Sequence, residues 1–253
     1  MEVVFLGTGT SGGVPMVGCY TGVCLSDNPK DKRLRSSVLL HVNGKTIVID
    51  CGPDFRQQML REQVRKIDAI VFTHSHKDHT GGLDDIRGFN YVLKKAIPLY
   101  MDAETEKAIR RQYDYIFGNS DYPGVPKVEI HNFGNEPFWV EGVRFIPIEA
   151  LHYRMRVYAF RIGDFTYVTD ANFIAPQEKE KIKGSRVLVL NALRKEPHIS
   201  HFTLSQALEL VDELKPEKAY LTHISHQLGY HEEVNRSLPA GVELAYDGLR
   251  ITL

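Results

Sequence analysis

The chain has 253 residues, 43% of them hydrophobic, and its 31 basic and 32 acidic side chains leave a net charge of −1. That length and apolar content suffice for one domain spanning 1–253, and the near-zero charge excludes a global field drawing the protein to nucleic acid or a membrane surface. No apolar run approaches the roughly 20 residues of a bilayer span, and no signal pattern precedes the first strand, so a soluble cytoplasmic protein is expected, its three cysteines reduced or metal-bound.

In chain order, residues 3–6 read as a buried strand leading into the glycine-rich stretch 7–13, which suits either a tight turn or a phosphate cradle. Residues 37–42 and 45–50 are β-rich runs joined by Asn43-Gly44, a strong hairpin signal. The stretch 54–65 suits a helix capped by Asp54, and 69–72 a strand. Residues 104–115 read as helix, ended by the loop 119–126 with its Pro and Gly. The aromatic-rich 113–122 suits plain packing, a lid or a dimer contact. Strands are expected at 143–148, 157–162 and 165–169, the last two joined by Gly163-Asp164, and at 187–190. Thr203 is placed to cap a helix over 204–214, after which 218–222 and 242–246 finish the sheets. Strands followed by helices in each half favour an α+β architecture of two facing sheets with helices outside.

The run Thr73-His74-Ser75-His76-Lys77-Asp78-His79 follows one of these strands and carries three imidazoles and a carboxylate. Those ligands suit zinc and similar divalent ions, and the i, i+2 spacing of His74 and His76 puts both rings on one face of an extended segment. Asp78 and His79 fall past the strand end, where a turning loop can aim them at a second metal. His152, Asp170 and His223 are each the first polar ligand type beyond a predicted strand. Seven such residues are what two zinc ions need when one carboxylate bridges them. Asp50 is placed to orient a metal-bound histidine.

With Gly7-Thr8-Gly9-Thr10, Asp50-Cys51-Gly52, the H-x-H-x-D-H run and Thr222-His223, the chain resembles the metallo-β-lactamase superfamily. The resemblance implies an αββα sandwich with His74, His76 and His152 on one metal, Asp78, His79 and His223 on the other, and Asp170 between them. Gly81-Gly82-Leu83-Asp84-Asp85-Ile86-Arg87 and Leu221-Thr222-His223-Ile224-Ser225-His226-Gln227 narrow the resemblance to the PhnP-type phosphoribosyl cyclic phosphate phosphodiesterases. That group also implies a structural zinc held by Cys19, Cys24 and His226, although Thr21 occupies the place of its third cysteine.

The chemistry implied is a dinuclear hydrolase, with zinc most expected and manganese also accepted, in which water acidified by the metals attacks a small cyclic phosphodiester in line. Asp78 and His201 are the catalytic residues of this reading, His201 protonating the leaving oxygen or holding phosphate beside His198 and Arg154. Arg87 and Arg156 suit phosphate contact or structural ion pairs. A ribonuclease Z-like processing enzyme, a thioester hydrolase and a non-catalytic metal scaffold are the alternatives. The charge balance argues against nucleic acid, and a homodimer is the expected assembly.

Overall fold

The structure, a computed structural model, describes residues 1–118, 122 and 124–253. In the first sheet β1 (Glu2–Gly7), β2 (Ser37–Val42), β3 (Lys45–Ile49), β4 (Ala69–Val71), β5 (Ile97–Met101) and β6 (Val128–Asn132) lie side by side in chain order. The second contains β7 (Phe138–Val140), β8 (Val143–His152), β9 (Met155–Ile162), β10 (Phe165–Tyr167), β11 (Phe173–Ile174), β12 (Val187–Asn191), β13 (Lys218–Thr222) and β14 (Val242–Leu244). Its order is β11-β8-β9-β10-β12-β13-β14, with β7 paired to β8 off that path. The sheets do not finish at 242–246 as expected. The last strand, β15 (Arg250–Thr252), crosses back to pair antiparallel with β1, and Met1 and Leu253 exchange two backbone hydrogen bonds of 2.9 Å.

The helices are α1 (Gly22–Leu25), α2 (Phe55–Arg61), α3 (Lys77–Thr80), α4 (Arg87–Leu93), α5 (Ala103–Gln112), α6 (Asp114–Phe117), α7 (Pro176–Ile182), α8 (Leu204–Leu214) and α9 (His231–Ser237). Strand alternation explains the layers. Val3 and Phe5 of β1 point into an intersheet core with Phe145, Phe160 and Phe165, whereas Val4 and Leu6 point outward to Phe55 and Met59 of α2. The second sheet turns Leu188, Leu190 and Leu221 to Ile182, Leu210 and Val234 of α7, α8 and α9. The result is the expected αββα sandwich. Burying each such Phe or Leu contributes about 1.5–3 kcal/mol.

Local expectations fail where a side chain has another partner. Asp54 does not cap α2, because its carboxylate takes the Arg35 backbone N–H at 2.8 Å and the Arg35 guanidinium at 2.9 Å. That helix ends at Arg61 rather than 65, with Gln63 in the left-handed region at φ 52°. The helix expected over 104–115 is interrupted at Tyr113, which closes α5 and precedes α6. Tyr113 is buried and its hydroxyl donates to the Thr80 carbonyl at 2.8 Å, so it packs rather than forming a lid. In the loop expected at 119–126, Asn119, Ser120, Asp121 and Pro123 lie outside the described residues. Among the described residues no helix is long and apolar enough to cross a membrane.

The parallel ladders β3–β4–β5 and β10–β12–β13 carry the C-terminal ends of their strands to one rim. There a backbone bond of 3.0 Å from Tyr158 to the Thr73 carbonyl ties the sheets together.

Candidate metal centre

The run after β4 is anchored from below by Asp50. This wholly buried carboxylate accepts from the Thr73 backbone N–H and hydroxyl, each at 2.8 Å, and lies 2.7 Å from His79 Nδ1. Asp78 and His79 do not sit in an open loop. They form the first turn of α3, where His76 accepts the backbone N–H groups of His79 and Thr80 at 3.0 Å each. Close approach permits this turn: a Cβ on Gly52 would stand 2.0 Å from the Asp78 carbonyl oxygen, and one on Gly82 2.2 Å from that of Gly52.

His152 is the last residue of the ten-residue β8, not a residue beyond a strand ending at 148. Asp170 and His223 follow β10 and β13, both with left-handed backbones at φ 55°. At Asp170 the short polar side chain makes that conformation tolerable.

In His74, His79 and His152 the ring nitrogen facing away from the centre is engaged. His79 Nδ1 faces Asp50, His74 Nδ1 lies 3.0 Å from the Thr73 hydroxyl, and His152 Nδ1–H donates to the Ser200 carbonyl at 2.9 Å. Such contacts orient the rings so that each Nε2 is the atom presented to the centre. The Nε2 atoms of His74 and His79 are buried without a hydrogen-bond partner, as is His201 Nδ1. Buried polar atoms are rarely left unpaired, so these residues fit a bound cation. The rings of His74, His76 and His152 have centroids 4.7, 5.0 and 5.8 Å apart. Ligand atoms of Asp78, His79, Asp170 and His223 lie within 4.8 Å of one another, as do those of His152, Asp170 and His201. Asp170 belongs to both groups: its Oδ2 is 3.1 Å from His79 Nε2 and 3.1 Å from His223 Nδ1, and its Oδ1 is 3.9 Å from His201 Nδ1.

Burial and mutual charge set the protonation states. Burial and the neighbouring His79 hold the pKa of His74 well below that of ordinary imidazole, leaving it neutral as a metal ligand must be. Burial opposes charge on Asp170, but His223 and His79 outweigh it and hold that carboxyl well below its usual range. His79 is pushed down by burial and raised further by Asp170, Asp50 and Asp78. Burial and His223 push His201 down to about 2. It is therefore neutral when neither ion nor substrate is bound.

The other predicted residues divide. The His198 ring stands 5.1 Å from that of His201. The Arg154 guanidinium lies 5.1 Å over the Tyr153 ring, beside a cavity of about 390 Å3 reaching His76 and His152. Arg156 faces Asp102 at 3.6 Å and Glu149 at 3.4 Å, and Arg87 lines a separate groove with Phe55 and Arg56. Ligand atoms of Cys19, Cys24 and His226 gather within 4.8 Å of one another, and Thr21 Oγ1 stands 3.2 Å from Cys19 Sγ. Two supporting residues had no legible signal: Ser200, whose carbonyl holds His152, and Ser36, whose hydroxyl lies 3.2 Å from His223 Nδ1; Thr10, at the end of the glycine-rich motif, has its hydroxyl 3.2 Å from His223 Nε2.

A family model described as a β-lactamase superfamily domain matches residues 45–224. A crystal structure described as a new diphosphatase from the PhnP family is 42% identical with a TM-score of 0.93, and the match covers 100% of this chain and 97% of that one. An octanoyltransferase of Porphyromonas gingivalis is 38% identical over 252 residues, which is 98% of this chain and 51% of that protein. A ribonuclease Z of Clostridium botulinum is 41% identical over 78 residues, 30% of this chain and 20% of that protein. The chain thus spans about half the length of the first of these curated relatives and a fifth of the second.

Proposed function

Because this chain belongs to the β-lactamase superfamily and, within it, to the PhnP family, we propose that it is a metal-dependent phosphodiesterase opening a small cyclic phosphate of the phosphoribosyl 1,2-cyclic kind. The observation carrying this reading is Asp170, whose carboxylate belongs both to a group with Asp78, His79 and His223 and to one with His152 and His201, beside the clustered rings of His74, His76 and His152. A relative described as a diphosphatase supports a phosphorus-centred substrate.

In this reading His74, His76 and His152 would hold one ion and Asp78, His79 and His223 the other, with Asp170 a ligand available to either. Bound there, two divalent ions supply Lewis acidity and a water acidified toward neutral pH. Zinc and manganese both accept the ligand set. Asp50, Thr73 and Ser200 hold the imidazoles in the tautomer that keeps Nε2 available. His201 hydrogen-bonds a phosphoryl oxygen, takes up a proton from solvent as the substrate's negative charge raises its pKa, and passes it to the leaving oxygen. His198 and Arg154 meet the rest of the molecule at the rim. Cys19, Cys24 and His226 would hold a third, structural zinc.

The test is hydrolysis of bis(p-nitrophenyl) phosphate and a panel of cyclic phosphates by protein loaded with zinc or manganese, with metal content measured. Turnover with two ions at the histidine centre, beyond any zinc at the cysteine cluster, is expected, and it should be lost in Asp78→Ala and His79→Ala. Two bound ions and no turnover of any phosphodiester would sink the reading, and preferential cleavage of precursor tRNA would replace it with the nuclease.

A further inference from the structure

We propose that the cavity between α5 and β9 seats a second anionic group of the substrate, bound by Lys107 and Arg111. The proposal rests on the phosphodiesterase reading above and concerns the part of the substrate that does not react. The cavity has a volume of about 770 Å3 and adjoins the metal centre. Ser75, which lines it, lies between His74 and His76, and Gln112 Nε2 on its wall donates to the Ser75 carbonyl at 3.4 Å. Met155 belongs both to this cavity and to the smaller one that reaches His76 and His152. A molecule with its diester at the metal residues therefore reaches α5 around a single side chain.

The charges on the wall are unevenly satisfied. Arg156 faces Asp102 at 3.6 Å and Glu149 at 3.4 Å, and Asp102 also caps α5 by accepting the Thr105 N–H at 3.0 Å. Arg110, on another part of the helix, pairs with Glu106 at 2.6 Å. Lys107 and Arg111 differ: they are exposed one turn apart, both line the cavity, and among the described residues neither has a carboxylate at ion-pair distance. Glu104 shares the wall without pairing to either, so Lys107 and Arg111 are the cations of the lining that have no ion-pair partner among the described residues.

Like charges at i, i+4 disfavour the helix that bears them. An anion between them removes that repulsion. Lysine offers a point charge and arginine a planar fork, a pair that matches the several oxygens of a phosphomonoester. The group can be pendant on the substrate or arrive as free phosphate.

The zinc-loaded full chain is assayed on adenosine 2′,3′-cyclic phosphate with and without a 5′-phosphate. We expect the phosphorylated form to be preferred by at least about tenfold in kcat/KM, through KM. The preference should fall to about one in K107E/R111E and stay in K183E, a charge reversal of remote Lys183. Inorganic phosphate should compete with the phosphorylated substrate more strongly than with the bare one. A wild-type ratio near one, or a ratio kept in the double variant, overturns the pendant-group seat. If the loaded protein turns over neither diester, the phosphodiesterase reading fails separately. Calorimetric titration with inorganic phosphate then decides the seat: binding lost in K107E/R111E upholds an anion site, and equal or absent binding in both proteins overturns it.

Discussion

Asp50 Oδ2 lies 2.7 Å from His79 Nδ1, and neither side chain reaches solvent. The same carboxylate accepts two further hydrogen bonds from Thr73, so one buried acid holds both the start of the histidine run and its last ligand. Asparagine cannot accept on its amide nitrogen and leaves a buried donor facing a donor. Asp50→Asn is therefore expected to weaken metal binding about 10- to 100-fold. Competition against a chromophoric chelator measures this, and an unchanged affinity would show that His79 needs no such partner.

Gly52 is where three segments touch. A methyl group there meets the Asp78 carbonyl oxygen at 2.0 Å, and Gly82 presses on Gly52 from the other side. Gly52→Ala should cost about 1–3 kcal/mol of stability, as overpacking generally does, and should displace Asp78. Urea unfolding and metal content check it together: a stable variant that keeps both ions contradicts the proposed clash.

At the cysteine cluster, Thr21 faces Cys19 Sγ at 3.2 Å, next to Cys24 and His226. A closed structural zinc has four protein ligands, commonly cysteine and histidine. Thr21→Cys should complete the set and tighten zinc by more than about tenfold, and Cys24→Ala should release it. Elemental analysis after dialysis against a weak chelator reads the outcome, and equal zinc in all three proteins refutes it.

His231 is buried and accepts from the Arg33 guanidinium on Nδ1 at 3.0 Å. Burial and Arg33 push its pKa down to about 4. Between that value and the ordinary 6.5 the unfolded chain binds a proton that the folded one refuses, so stability falls as pH drops through this window and levels off below it. Discounted for partial solvent screening, the loss is about 2 kcal/mol. Denaturant unfolding from pH 7.5 to 4 should show a slope that flattens in His231→Asn, and an identical slope would assign the loss elsewhere.

The histidine run was legible because three imidazoles and an acid within six positions have few other uses. His152, Asp170 and His223 became legible only through their places near strand ends and the resemblance those places completed. What stayed hidden has a physical reason in each case. The Ser200 carbonyl holds His152 but has no side-chain signature, and Ser36 meets His223 across 187 residues. Arg35 draws Asp54 away from its helix, which no local pattern encodes. The three-residue β15 is too short to carry a period, and its position is set by pairing with β1.

That pairing of β1 with β15 has an architectural consequence. β1 runs away from Met1 toward Thr8 and Thr10 at the metal rim, so Met1 and Leu253 emerge together at the opposite end of the sandwich. Polypeptide grafted onto either terminus departs from the side remote from the metal centre. The sandwich is accordingly suited to fusion with other modules and to a circularly permuted version in which a short linker joins the present ends and new ones open in an exposed loop.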